Sequence, residues 1–167
     1  MKLLRVLPFA VLALSSQARA EGGCGRFAWP IEADAALLSQ AERVDSGATV
    51  DVAAPKAVRV LLVDSAKAGY ELPPEKPAAP AAPGGTLRFE AKAGLYQLTM
   101  TDRVWLDVVQ AGRKLDERAF SGAPDCDGAR KSVRFELGDG PTLIQFSGSP
   151  SRTVAISVTR APKDRAQ

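Results

Sequence analysis

The sequence predicts an all-β protein: an antiparallel β-sandwich, jelly-roll-like, of about 8–9 strands with one short N-terminal helix. Three observations carry this. Apolar and polar residues alternate with a period of two through several runs of the 167-residue chain. Turn signals such as Ala93-Gly94, Ala111-Gly112, Gly138-Asp139-Gly140 and Gly148-Ser149-Pro150 separate those runs at short intervals. The alternation also leaves one face of each strand polar, whereas parallel strands buried on both faces read as continuous apolar runs.

In chain order, Met1–Ala20 has the make-up of a secretory signal peptide. Lys2 and Arg5 precede the apolar run Val6–Leu14, and Ala18-Arg19-Ala20 supplies a small-x-small cleavage site. The apolar run is far below the ~20 residues that span a bilayer, so it reads as an address without an anchor. The residues before Cys24, Glu21-Gly22-Gly23, do not form a lipobox. The mature chain is expected to begin near Glu21 and to work in the periplasm or outside the cell.

After Trp29-Pro30, Leu37, Leu38 and Ala41 recur at helical spacing. Pro30 suits a helix start, and Glu32 and Asp34 suit its first turn, so a short helix is expected over Glu32–Ala41. Alternation then begins. Val50 and Val52 share a face, followed by Val58, Val60 and Leu62. Leu72–Gly85, LPPEKPAAPAAPGG, holds five of the twelve prolines and interrupts the pattern. It is expected to be a long mobile loop of extended backbone inside one domain of residues 21–162. Alternation resumes at Leu87 and Phe89, at Tyr96, Leu98 and Met100, at Val133, Phe135 and Leu137, and at Val154, Ile156 and Val158. Residues 163–167 read as a disordered tail.

Cleavage after Ala20 removes Lys2, Arg5 and Arg19, leaving 19 basic against 19 acidic residues. The charges are mixed along the chain, without a Lys/Arg run, which speaks against a nucleic-acid or membrane partner. Cys24 and Cys126 are the only cysteines. In an oxidising compartment two cysteines most simply form one disulfide, closing a loop of about 100 residues.

The chain contains no histidine. Ser-His-Asp and Cys-His catalysis, His-bearing zinc sites and the two-His-one-carboxylate iron site are therefore excluded. No phosphate-binding glycine loop or nucleophile elbow is present. No metal or cofactor is expected. Asp125-Cys126-Asp127-Gly128 faintly resembles part of a calcium loop but lacks its remaining acids, so a polar turn is the simpler reading. Asp116-Glu117 shows no spacing that demonstrates a catalytic pair.

The most informative candidate is Val104-Trp105-Leu106-Asp107-Val108. Alternation sets Trp105 and Asp107 on the face opposite the three aliphatic residues, an arrangement suited to stacking on a sugar or aromatic ligand. The competing reading buries Trp105 under the Pro-rich loop, or under the N-terminal segment with Trp29. Arg130 and Lys131 are further candidate ligand contacts. Arg103, Arg113 and Lys114 could add donors for an anion, or could simply protect strand edges.

Cys24-Gly25-Arg26-Phe27-Ala28-Trp29-Pro30, Gly94-Leu95-Tyr96-Gln97-Leu98, Trp105–Gln110 and Asp125–Phe135 together resemble a family of small exported bacterial proteins. Members of that family often carry the name homogentisate 1,2-dioxygenase. The enzyme of that name is much larger and holds iron with two histidines and a glutamate, so the resemblance transfers no catalytic residue to this histidine-free chain. A looser similarity to the jelly-roll domains appended to secreted peptidases, of the pre-peptidase C-terminal kind, implies a sandwich but no ligand. The expectation is a non-catalytic periplasmic binding protein for an envelope glycan, small ligand or protein partner. The alternative is an enzyme, either the oxidoreductase of the family name or a carboxylate-based hydrolase.

Overall fold

The computed structural model describes residues 23–161, so the signal segment Met1–Ala20 and the tail 163–167 lie outside the described residues. Two sheets face each other. One contains β1 (Glu42–Asp45), β2 (Lys56–Leu61), β5 (Gly94–Met100), β8 (Ala119–Gly122), β9 (Lys131–Leu137) and β11 (Thr153–Arg160), in the order β1-β2-β11-β5-β9-β8. The other contains β3 (Val63–Asp64), β4 (Pro83–Ala91), β6 (Trp105–Gln110), β7 (Arg113–Lys114) and β10 (Gly140–Ser147), in the order β3-β4-β10-β6-β7. Within these orders β2-β11-β5-β9 faces β4-β10-β6-β7, with the chain passing repeatedly from one sheet to the other, which is jelly-roll topology. We call them the first and second sheets.

The alternating runs supply the core. Val58, Val60, Leu98, Met100, Val133 and Ile156 from the first sheet meet Leu87, Phe89, Val108, Ile144 and Phe146 from the second, all essentially inaccessible to solvent. Pairing is antiparallel except for β1, which runs parallel to β2 with Glu42 opposite Val58. That pair departs from the purely antiparallel expectation. Val50 and Val52 lie outside the strands, although Thr49 forms an isolated bridge to Arg88.

Both outer faces are partly covered. Across the first sheet, register aligns Ala57, Ser157, Thr99, Ser132 and Ser121 in one row over five strands. These small side chains leave a trough in which residues 23–39 lie. The segment is fastened by Ala28 N–H to Ser121 Oγ (2.8 Å) and Trp29 Nε1–H to Ser132 Oγ (3.0 Å). It continues as helix α1 (Glu32–Ser39), two residues shorter than expected. Phe27, Ile31 and Leu38 pack there on Ala57, Ala123, Ala129 and Ala155, forming a second apolar cluster. Asp34 of α1, buried, accepts from Gln97 Nε2 (2.7 Å), Ser157 Oγ (2.7 Å) and Thr159 Oγ1 (3.0 Å). Cys24 and Cys126 form the expected disulfide, clamping the start of this segment to the β8–β9 connection. No helix among the described residues is long and apolar enough to cross a membrane.

The Pro-rich segment lies over part of the second sheet and is hydrogen-bonded to it near its start. Gln145 accepts from the Glu71 and Leu72 amides through Oε1 (2.7 and 3.2 Å) and donates from Nε2 to Leu72 O (3.0 Å). Ser147 Oγ donates to Lys76 O (3.0 Å), and the Tyr70 hydroxyl donates to Phe146 O (2.8 Å). Gly84 is needed for that last bond, because a methyl group there would collide with the Tyr70 hydroxyl and Ser65 Oγ. The segment closes at its base, Ser65 N–H bonding Ala82 O (2.8 Å). Pro83–Gly85, expected in the loop, already belong to β4.

Gln110 pairs with Arg113, so Ala111-Gly112 is a two-residue hairpin turn, and both residues have positive φ (52° and 69°). This type I′ geometry favours Asn-Gly, whereas an alanine in the left-handed region carries about 1 kcal/mol of strain. Ala111→Asn should therefore stabilise the protein by about 0.5–1 kcal/mol, seen as a higher denaturant midpoint at unchanged slope.

Candidate functional site

The structure sets Trp105 and Asp107 on the outer face of β6, as alternation predicts, but only one of them is presented to solvent. Asp107 is buried beneath the Pro-rich segment. Its Oδ2 accepts the Glu75 amide (3.0 Å) and pairs with Lys114 Nζ (3.8 Å), while Oδ1 accepts Trp105 Nε1–H (3.0 Å). Both carboxylate oxygens are thus engaged in holding the covering segment and orienting the indole. The expected pair of exposed ligand contacts becomes one half-buried ring and one buried clamp.

Trp105 stands between two clefts. The smaller, about 230 Å³, is lined by Asp107 with Glu75, Lys114, Asp116 and Glu117. The larger, about 450 Å³, opens at the end of the sandwich where β6 and β9 begin, and falls within the roughly 300–1,000 Å³ range of small-ligand pockets. It is walled by Trp105, Phe120, Val104, Lys76, Arg103 and Lys131. Phe120, on edge strand β8, is the one large hydrophobic side chain exposed among the described residues (56%).

Lys131 is the first residue of β9 and shares a face with Val133 and Phe135. Its side chain bridges the two sheets, donating to Val104 O (3.0 Å). Burial pushes its pKa below the ordinary lysine value and Lys76 adds to that, while Glu117 and Asp107 oppose it. Two ammonium groups approach the Trp105 ring, Lys76 Nζ at 3.8 Å from its centroid and Lys131 Nζ at 5.3 Å. These are cation–π distances. Lys131 also lies 6.0 Å from the Phe120 centroid.

Of the residues singled out from the sequence, Trp105, Lys131 and Arg103 come together here, with Asp107 behind them. Arg130 does not join them. One residue before Lys131, its guanidinium bonds Pro124 O (3.1 Å) in the β8–β9 connection. Arg113 lies at the β6–β7 turn, and Lys114 is held by Asp107. The Asp125–Gly128 turn is a fastening: Asp125 Oδ2 accepts Gly23 N–H (2.9 Å), and that bond holds its carboxyl below the usual range. No group of three or more His, Cys, Asp or Glu among the described residues could hold a metal ion. No family model, curated protein or solved structure matches the chain.

Lys76 and Phe120 were not singled out from the sequence. Glu75-Lys76 is the only charged pair in the Pro-rich segment, and Phe120 is an aromatic outside every alternating run. Both are weak signals by themselves.

Proposed function

We propose that this chain is an exported, non-catalytic binding protein of the periplasm, and that its ligand enters the cleft between Trp105 and Phe120. The observation that carries the reading is Phe120: a large aromatic left exposed on the wall of a ligand-sized cleft, with a half-buried tryptophan beside it. A concave pocket walled by aromatic side chains with a few polar groups is the common form of a small-ligand site. The size of the cleft favours a small ligand or the end of an envelope glycan over a protein docking on a broad face. The export address of Met1–Ala20 and the disulfide support the compartment.

Titration calorimetry of the mature protein with cellobiose, diacetylchitobiose, digalacturonate and benzoate tests this. At least one should saturate at one per chain, and Phe120→Ala should reduce its affinity about tenfold or more while costing under ~1 kcal/mol of stability. Trp105→Ala should abolish binding but also cost about 1–2 kcal/mol, because it frees one oxygen of buried Asp107. Absence of saturable binding, or binding indifferent to Phe120, would overturn the reading.

A further inference from the structure

The chemistry of the same cleft specifies its ligand more closely. Resting on the reading above, we infer that the ligand carries a carboxylate on a six-membered ring, the ring lying against Phe120 and the carboxylate among Lys76, Lys131 and Arg103. Three cations line the larger cleft and no acidic residue does. None of the three is in a salt bridge among the described residues, whereas Lys114, Arg26, Lys56 and Arg152 each have a carboxylate within 4 Å.

The imbalance bears most on Lys131. Its ammonium is half-buried and one of its three protons is committed to Val104 O; Glu117 and Asp107 attract it from beyond salt-bridge distance, and Lys76 repels it. A half-buried ammonium with no carboxylate of the described residues within 4 Å gains from a complementary charge brought into contact. An entering anion would meet the two remaining Lys131 protons, the Lys76 ammonium now resting on Trp105, and the exposed Arg103 fork at the mouth, whose planar geometry matches a carboxylate.

The ring follows from the other wall. A bare anion would need only the cations, and Phe120 would then be an exposed aromatic with nothing to cover it. A flat, weakly polar face, whether of a sugar acid or an aromatic acid, buries the Phe120 ring while holding its carboxylate toward the lysines. Lys76 already occupies Trp105 at 3.8 Å, so Phe120 is the open stacking surface.

The test is equilibrium binding of the mature protein to five probes: digalacturonate and benzoate, their uncharged counterparts galactobiose and benzyl alcohol, and acetate. The expected result is that digalacturonate or benzoate binds at least tenfold more tightly than its uncharged counterpart, and that whichever binds identifies the ring as sugar or arene. Lys131→Met and Lys76→Met should each weaken that binding about tenfold, with melting temperatures not lowered by more than a few degrees. Equal binding of charged and uncharged partners would overturn this inference while leaving a ring-binding cleft intact. Acetate binding as well as the ring acids, unaffected by Phe120→Ala, would also overturn it by reducing the site to an anion sink. Failure of all five probes to bind would overturn the inference, and the reading on which it rests would fall with it if cellobiose and diacetylchitobiose also fail to bind.

Discussion

Replacing Cys24 and Cys126 together by serine should lower the free energy of unfolding by about 4–5 kcal/mol, the largest effect expected of any change outside the apolar core. The bridged residues are 102 apart in sequence. On the chain-entropy account a loop of that size is worth ~4.7 kcal/mol, nearly all of it through restriction of the unfolded chain. In the folded protein the clamp is backed by Phe27, Ile31 and Cys126 packing in the cluster under α1, and by Asp125 bonding the Gly23 amide. The folded state should therefore survive reduction while its margin shrinks. Guanidinium denaturation of the double variant, compared with the oxidised protein, measures this. A midpoint shift equivalent to less than ~1 kcal/mol would show that the long loop contributes little in the unfolded ensemble. A reduced slope would instead mean that residues 23–39 detach before the sandwich melts.

The second large effect is expected at Asp34, where alanine should cost about 3 kcal/mol. Three donors converge on this buried carboxylate, and a donor left unpaired in the interior costs ~1–3 kcal/mol. Ser157 and Thr159 have a partial escape, because their hydroxyls already lie 3.5 and 3.3 Å from the carbonyls of Thr99 and Gln97. Gln97 has less freedom. Its Oε1 accepts Arg134 Nε–H (3.0 Å), so its amide nitrogen must face Asp34. For that reason Asp34→Asn should turn its amide oxygen to Gln97 and its nitrogen to the Ser157 and Thr159 hydroxyls, which accept it by donating to Thr99 O and Gln97 O, and about 1 kcal/mol should be lost. Glu32→Ala, in the first turn of the same helix but exposed, should cost under ~0.5 kcal/mol, since only the helix dipole is at stake. Equal losses at Glu32 and Asp34, read from thermal or denaturant unfolding, would show that the buried network is not the source.

The two covering straps, residues 23–39 and the Pro-rich segment, also explain which parts of the fold could be read in the sequence. The runs around Leu98, Phe135 and Ile156 alternate cleanly because their outward positions are polar, and they became β5, β9 and β11. β10 escaped recognition because Leu143-Ile144-Gln145-Phe146-Ser147 carries an apolar residue, Leu143, on its outer face under the Pro-rich segment as well as Ile144 and Phe146 in the core. Only Gln145 and Ser147 are left to mark a period of two. β1 reads Glu-Arg-Val-Asp, four residues with a single apolar one, and pairs in parallel at an edge where composition says little. Likewise the row from Ala57 to Ser121 exists only once register is known, since its five members are scattered over a hundred residues. The site divides in the same way. Strand period sufficed to put Trp105 opposite the aliphatic face. It could not show that Lys76, Phe120 and Lys131, from three separate elements, meet around it, nor that Asp107 is committed to the segment above.

The undersides of the two straps differ in kind, and this ranks how they come away from the sandwich. Residues 23–39 rest on alanines through Phe27, Ile31 and Leu38, so lifting them uncovers apolar surface at about 25 cal/mol per Å². Residues 71–76 rest on Gln145, Ser147 and Asp107, and lifting them trades those bonds for bonds to water. A protein–protein hydrogen bond exchanged in this way forfeits only about 1 kcal/mol. Local opening therefore begins over the second sheet, whose outer face mixes polar Gln145, Ser147 and Asp107 with apolar Val109 and Leu143. Of the two covering segments, the proline-rich one opens at the lower cost, and it borders the mouth where Trp105 and Phe120 stand.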